Sequence, residues 1–302
     1  MLPSPLQPWD LQLFRRHDLK VWVKRDDLIH PLAGGNKIRK LAYQLSPDTL
    51  MGRAQVVTFG GPASNHLVAA AWYCHRLGVP LRAYIRGEVV DNPCSRYLRK
   101  LCVDMIGLER SAFKAVQSDP FPEALVIPFG GTHPLALPGV GEMVREIRDQ
   151  LGDDPIHLCV PAGSGGTSAG LALALSDRDT LRIYPAIRGV DLSGWLNERM
   201  SELGVSTTAR LWVDEGAAGP GFARRDERLW TDLCALSRDT GIWWDPVYNG
   251  KMVLRLLREI EQGLVPAGSH VVILHTGGLP GALAYRERFN LLPMPNMPGG
   301  LE

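Results

Sequence analysis

The stretch Gly34-Gly35-Asn36-Lys37-Ile38-Arg39-Lys40-Leu41 places one lysine just behind a paired-glycine turn and at the start of a helix. An ammonium there faces the positive end of the backbone dipole, and partial burial also disfavours its charge, so both effects lower the pKa and free an amine for attack on a carbonyl. Gly34 and Gly35 permit backbone angles closed to other residues, so a planar ligand could lie against the main chain. Of the seven lysines (20, 24, 37, 40, 100, 114 and 251), only Lys37 follows such a turn. A random helix lysine is a solvated one, so other motifs must carry the reading.

Four more stretches have chemistry-bearing types at strand ends. Gly163-Ser164-Gly165-Gly166-Thr167 follows a strand and opens a helix, where backbone N–H groups converge on an anion such as a phosphate. It matches neither the Walker loop nor the dinucleotide fingerprint, and a tight turn packing helix on sheet is the alternative. Ser64-Asn65-His66, after Gly60-Gly61, offers a hydroxyl, an amide and helical N–H groups to a carboxylate, or simple N-capping. Asp245-Pro246-Val247-Tyr248-Asn249-Gly250-Lys251 puts Tyr248 in a turn before a helix, and His275-Thr276-Gly277-Gly278 sets a hydroxyl where a ring nitrogen could meet it. A nucleophilic lysine, an anion cradle and a polar partner for a pyridine nitrogen together suit pyridoxal phosphate.

The elements that must position these groups alternate. Strands are expected at 21–24, 56–59, 81–85, 125–129, 156–161, 181–190, 210–213 and 270–275. Helices are expected at 36–44, where Pro47 ends the run, and at 66–77, closed by Gly78 and Pro80. Others are expected at 94–105, 142–151, 168–175, near 195–203, at 227–240 and at 251–262, with an irregular tail after Leu292. This rhythm implies an α/β fold, a mostly parallel twisted sheet covered by helices on both faces, with ligands at the carboxyl ends of the strands.

The bulk numbers agree with a small-molecule enzyme. At 302 residues the chain has room for two domains of roughly 150 residues each. Its formal charge of +1 is spread evenly, so no basic stripe awaits nucleic acid or an anionic membrane. No apolar run approaches the ~20 residues of a membrane helix, and Met1-Leu2-Pro3-Ser4-Pro5 is no signal peptide. Five scattered cysteines without a Cys-x-x-Cys pair read as buried thiols in a reducing cytoplasm, with no metal site.

On the motifs 24–28, 34–37, 64–66, 163–167, 245–248 and 275–278, the chain resembles the fold-type II pyridoxal-phosphate enzymes. Within them it is similar to the family of 1-aminocyclopropane-1-carboxylate deaminase and D-cysteine desulfhydrase. The resemblance implies a large cofactor-binding domain from 1–45 and 131–302, and a smaller inserted α/β domain at 46–130. It implies that Lys37 carries the cofactor as a Schiff base, that Asn65 bonds its 3′-oxygen, and that Gly163, Ser164, Gly165, Gly166 and Thr167 bind its phosphate. Ser64, with Asn65 and His66, would receive the substrate carboxylate, Tyr248 would lie by the ring, and the family is commonly a homodimer. Where the deaminases have a glutamate after the tyrosine this chain has Asn249, so Thr276 becomes the ring-nitrogen partner, as in the desulfhydrase branch, which His66 also resembles. Relatives carry a second tyrosine in a Gly-Tyr-Gly stretch, and this chain reads Gly221-Phe222-Ala223, which puts Phe222 beside the substrate without an acid–base hydroxyl. The expected activity is α,β-elimination on a small amino acid, first D-cysteine, giving keto acid and ammonia. The alternatives are the cyclopropane deaminase itself, or a cofactor-binding protein with little turnover.

Overall fold

The structure, a computed structural model, describes residues 2–188, 191–214 and 216–299. In chain order the first half runs β1 (Leu6–Pro8), α1 (Gln12–Arg16), β2 (Lys20–Arg25), α2 (Asn36–Gln44), α3 (Pro47–Leu50), β3 (Gln55–Gly60), α4 (Asn65–Leu77), β4 (Leu81–Arg86), α5 (Pro93–Lys100), β5 (Asp104–Leu108), α6 (Arg110–Val116) and β6 (Ala124–Ile127). The second half runs α7 (Leu137–Leu151), β7 (Ile156–Ala162), α8 (Gly166–Ala174), β8 (Thr180–Pro185), α9 (Leu192–Glu202), β9 (Arg210–Val213), α10 (Glu227–Thr240), α11 (Asn249–Glu261), β10 (His270–His275) and α12 (Leu279–Arg288).

Two sheets result. One has six strands in the order β1-β2-β10-β7-β8-β9, and the other four in the order β5-β4-β3-β6. Every pairing is parallel except β1 with β2, an antiparallel edge. The period of two sorts the central strands between two cores. Val271 and Ile273 face a core containing Leu233, Met252, Val253 and Leu256, while Val272 and Leu274 face Val140, Met143, Ala169 and Leu171. Both faces are therefore dry, which is why these strands read as unbroken apolar runs. The four strands of the smaller sheet all fall within residues 55–127, and α2 and α12 pack against its helix α4.

Several expected boundaries move. The helix expected over 94–105 stops at Lys100. Cys102 takes a left-handed φ of +54°, and Asp104–Leu108 continues as an edge strand. Pro47 does not merely end α2; with Ser46 accepting from Thr49 N it starts α3. The helix expected from 142 begins at Leu137 and runs through Gly139, where a Cβ would lie 2.1 Å from Arg39 O. The strand expected over 181–190 ends at Pro185, and its last two positions lie outside the described residues.

What fixes α2 is charge. Arg39 is buried, and its guanidinium spans two carboxylates, with Nε and Nη2 each 2.8 Å from Asp26 and Nη1 and Nη2 each 2.8 Å from Glu146. Lys24 adds 2.7 Å contacts to Glu146 and to Ser4 O, and Ser4 Oγ donates to Asp26 at 2.7 Å. Burial alone would raise the Glu146 carboxyl, but the hydrogen bonds from Arg39 and Lys24 outweigh it and hold its pKa at about 2. A depressed carboxylate pKa contributes stability that is present above the ordinary value of 4.5 and is lost as pH falls towards about 2. Arg39→Met strands Asp26 without its counter-ion, so it should lower unfolding free energy by about 3–5 kcal/mol. Urea melts from pH 7 downwards check this; an unchanged midpoint with an unchanged acid slope would contradict it.

Candidate active site

The parallel strands end together, and the loops that follow β2, β3, β6, β7 and β10 converge around the start of α2. Gly34 and Gly35 are tight for a reason other than the expected one. A Cβ on Gly35, whose φ is +83°, would fall 1.8 Å from Thr276 O, and one on Gly34 would fall 2.0 Å from His30 O. The close approach is made by the protein's own main chain, which docks the turn before Lys37 onto the end of β10.

Lys37 is half-buried, and burial pulls its pKa to about 8. Its Nζ has no hydrogen-bond partner among the described residues. Lys40, one turn further along the same face, is buried; its Nζ donates to Gly130 O at 2.8 Å and reaches Thr132 Oγ1 at 3.4 Å. Burial lowers its pKa well below the ordinary lysine value, and the charges of Lys37 and Arg199 add to this. Neither amine has a carboxylate partner among the described residues.

The loop 163–167 lies against these groups. Thr132 Oγ1 and Ser164 Oγ are 2.8 Å apart, and Asn36 Nδ2 donates to Thr167 Oγ1 at 2.8 Å. A Cβ on Gly166 would sit 3.0 Å from Lys40 Nζ, and one on Gly163 would sit 3.0 Å from the Tyr248 ring. Gly165, at φ +80°, is covered by Trp195 and Arg199 of α9, and Arg199 Nε is buried without a partner among the described residues. Gly166 opens α8, so its first N–H groups point out of the helix end.

Across the cleft, Ser64 caps α4 by accepting from Leu67 N at 3.3 Å. Asn65 Oδ1 accepts from Gly281 N at 2.8 Å, which leaves its Nδ2 as the free end. His66 is buried. Its Nε2 meets Thr58 Oγ1 at 2.8 Å, and that hydroxyl donates to Ile127 O, so Nε2 carries the proton and Nδ1 is an unpartnered acceptor beside Gly131. Burial, then the charges of Lys37 and Lys40, hold the ring well below its usual pKa and therefore neutral.

Tyr248, Asn249 and Thr276 form the remaining wall. Asp245 accepts from Val247 N, Tyr248 N and Asn249 N at 2.8–3.0 Å, which fixes the turn ahead of α11. Asn249 Nδ2 donates to Asp245 and to Gly277 O, so its Oδ1 must face Thr276, accepting from Thr276 N at 2.9 Å and Oγ1 at 3.0 Å. The amide is thus used up internally, and Thr276 Oγ1 is left as the outward polar atom. Burial and then the Asp245 charge push the Tyr248 hydroxyl above its usual pKa. The exposed Phe222 ring meets Tyr248 edge-on, with centroids 5.7 Å apart.

The profile described as pyridoxal-phosphate dependent enzyme matches residues 2–277. The chain belongs to this family. A Pyrococcus abyssi protein provisionally named 1-aminocyclopropane-1-carboxylate deaminase is 30% identical over 319 residues, covering 93% of each chain. The bifunctional D-cysteine desulfhydrase/1-aminocyclopropane-1-carboxylate deaminase of Arabidopsis thaliana mitochondria is 27% identical, over 93% of this chain and 77% of that one. The crystal structure of a deaminase homologue superposes with a TM-score of 0.81 at 26% identity, covering 96% of this chain and 94% of that one. This pyridoxal-phosphate dependent enzyme therefore has the fold-type II architecture, with two sheets that are parallel apart from the β1 edge.

The residues present fit the cofactor. A phosphate dianion needs cations and converging donors, and finds Lys40, which has no acid partner among the described residues, the orphaned Nε of Arg199, whose guanidinium also pairs with Glu202, the Ser164 and Thr132 hydroxyls and the start of α8. An aldehyde needs an unpaired amine, and Lys37 is one. Lys40, Thr132, Arg199 and the inward role of Asn249 were not anticipated from sequence. Only Lys40 gave a local signal, its i+3 spacing from Lys37.

Since only the neutral amine attacks an aldehyde, cofactor capture by the apo-protein is expected to quicken as pH rises through about 8, not through the ordinary 10.5. Stopped-flow absorbance after pyridoxal phosphate is added checks this. A rate still climbing steeply above pH 9.5 would contradict the desolvated lysine.

Proposed function

We propose that this enzyme eliminates a β-substituent from a small amino acid, with D-cysteine as first substrate and pyruvate, ammonia and sulfide as products. The observation that carries the reading is Lys37, an amine with its pKa near 8 and no internal partner among the described residues, on the same helix as Lys40, which lies against the 163–167 loop and has no acid partner among them either. When bound, the cofactor supplies an electron sink for the bond broken at the α-carbon. Lys37 holds the cofactor and then takes the α-proton, which a neutral amine at this pKa can do near neutral pH. Asn65 Nδ2 would donate to the 3′-oxygen, residues 163–167 with Lys40 would hold the phosphate, and Thr276 Oγ1 would serve the ring nitrogen. Ser64 and the start of α4 receive the substrate carboxylate, with Tyr248 and Phe222 walling the cleft. His66, buried and bonded to Thr58, supports that pocket.

Thr276 and Asn249 in place of a carboxylate favour the desulfhydrase branch, because a hydroxyl holds a ring proton less firmly than a carboxylate does. Phe222 also lacks the hydroxyl that ring opening would use. The deaminase reading is supported by the names of the relatives, and a binding protein with little turnover by Phe222. Residues 46–130 form the smaller domain in this proposal, and the protein pairs as a homodimer through exposed apolar residues such as Leu173, which lines an open groove of about 980 Å³. Four buried cysteines and an exposed Cys102, all unpaired, support the cytoplasm as its compartment. Among the described residues no helix is long and apolar enough to cross a membrane.

Purified holoenzyme mixed separately with D-cysteine, L-cysteine, D-serine and the cyclopropane amino acid is expected to release keto acid and sulfide fastest from D-cysteine. Keto acid from the cyclopropane alone would select the deaminase. No product from any of the four, with an unchanged cofactor spectrum, would select the binding protein; light scattering on the same sample, giving one chain rather than two, would retire the dimer.

A further inference from the structure

Lys251 stands two residues after Asn249 on α11, buried with 8% of its surface exposed. Its ammonium has no carboxylate partner among the described residues. Instead it donates to two main-chain carbonyls, Ala218 O at 2.8 Å and Gly221 O at 2.6 Å. Gly221 N donates back to Ala218 O at 3.1 Å, so 218–221 is a tight turn whose oxygens converge on the cation. The next residue is Phe222, whose ring meets Tyr248. It sits between two left-handed positions, Gly221 at φ +117° and Ala223 at φ +48°. Beyond it, the Tyr285 hydroxyl donates to Arg224 O at 2.8 Å and accepts from Asp226 N at 3.0 Å. Residues 216–226 carry no helix or strand, so these tethers from α11 and α12 help to hold Phe222 in place, together with the burial of Ala217 and Ala218 and the Gly216 N–H bond to Asp214.

Carbonyl oxygens gathered around one buried positive charge are the coordination pattern of a small hard cation. A lysine ammonium is a compact point charge that can serve the same oxygens while fixed to the chain. We propose that Lys251 is a positioning residue whose ammonium acts as a built-in monovalent cation. It organises the 218–221 turn and so sets Phe222 against Tyr248 at the mouth of the cleft. The importance given to that mouth rests on the function proposed above, but the turn itself can be tested without any substrate. A cavity of about 140 Å³ reaches Lys251 beside the turn, lined also by Ala217, Pro220 and Asp226 and by Arg228, Arg255 and Arg258.

The test uses trypsin on the holoenzyme, because Arg224 and Arg225 are exposed just beyond Phe222. Losing charged hydrogen bonds should speed cleavage at these arginines by about tenfold in both Lys251→Ala and Lys251→Met. Potassium or methylammonium chloride should restore slow cleavage in Lys251→Ala, whose cavity is open, and not in Lys251→Met, whose side chain fills it. Choline chloride at equal ionic strength should restore neither. Lys251→Gln, which can donate without charge, should cleave faster than wild type. Wild-type cleavage in Lys251→Ala or Lys251→Gln, or equal protection by choline, would overturn the proposal. Should a variant fold poorly, recovery of its folded signal by methylammonium but not choline supports the proposal, and equal recovery or none counts against it.

Discussion

The structure depends on a division of charge along one short helix. α2 carries three cations within four residues, and Arg39 alone is given to acids, locked between Asp26 and Glu146. Lys37 and Lys40, on the other side, receive no carboxylate at all among the described residues. A buried guanidinium bridging two carboxylates tolerates little rotation, since turning the helix would leave both acids unpaired in a dry interior. Thus the pairing that costs most to break is also what aims Lys40 at the loops ending β6 and β7, with Lys37 one turn before it.

The same logic runs through the far wall. Asn249 could in principle face a ligand, but its amide is spent on Asp245, Gly277 and Thr276. The result is a threonine hydroxyl presented at the end of β10 by a network that cannot flip without losing the Thr276 N–H bond. If a cofactor ring is held there, as proposed, it would meet a neutral, polarisable contact, while the charge of the site would lie around its phosphate end. Electron demand would then be moderate, which under the proposed reading suits expulsion of a good leaving group more than opening of a strained carbon ring.

Much of this was legible in the chain. The helix over 36–44 and the strand over 270–275 read directly from periodicity, as did the helix closed by Gly78 with its left-handed cap, because tertiary contacts there reinforce local preference. The β5 edge strand was hidden. The i, i+3, i+4 pattern of α5 runs straight into it, and the break comes at Cys102, a residue type that announces no turn. α12 was hidden because Leu279-Pro280-Gly281 reads as a continuing loop, although proline suits the first turn of a helix. At the site, motifs at strand ends named most of the groups, but the partners that set their charge lie far away in sequence. Arg39 and Glu146 are 107 residues apart, and Lys40 and Gly130 are 90 apart. No local pattern encodes such pairings, and they decide which lysine is left free.

The central claim is that the free lysine is the thirty-seventh residue. Reducing the holoenzyme with borohydride fixes the cofactor to whichever amine holds it, and peptide mass mapping then locates the pyridoxyl group. The account expects the label on the peptide containing Lys37, with Lys40 unmodified and no label when Lys37→Ala is treated in the same way. A label on Lys40, on Lys251, or on none of the lysines would contradict it.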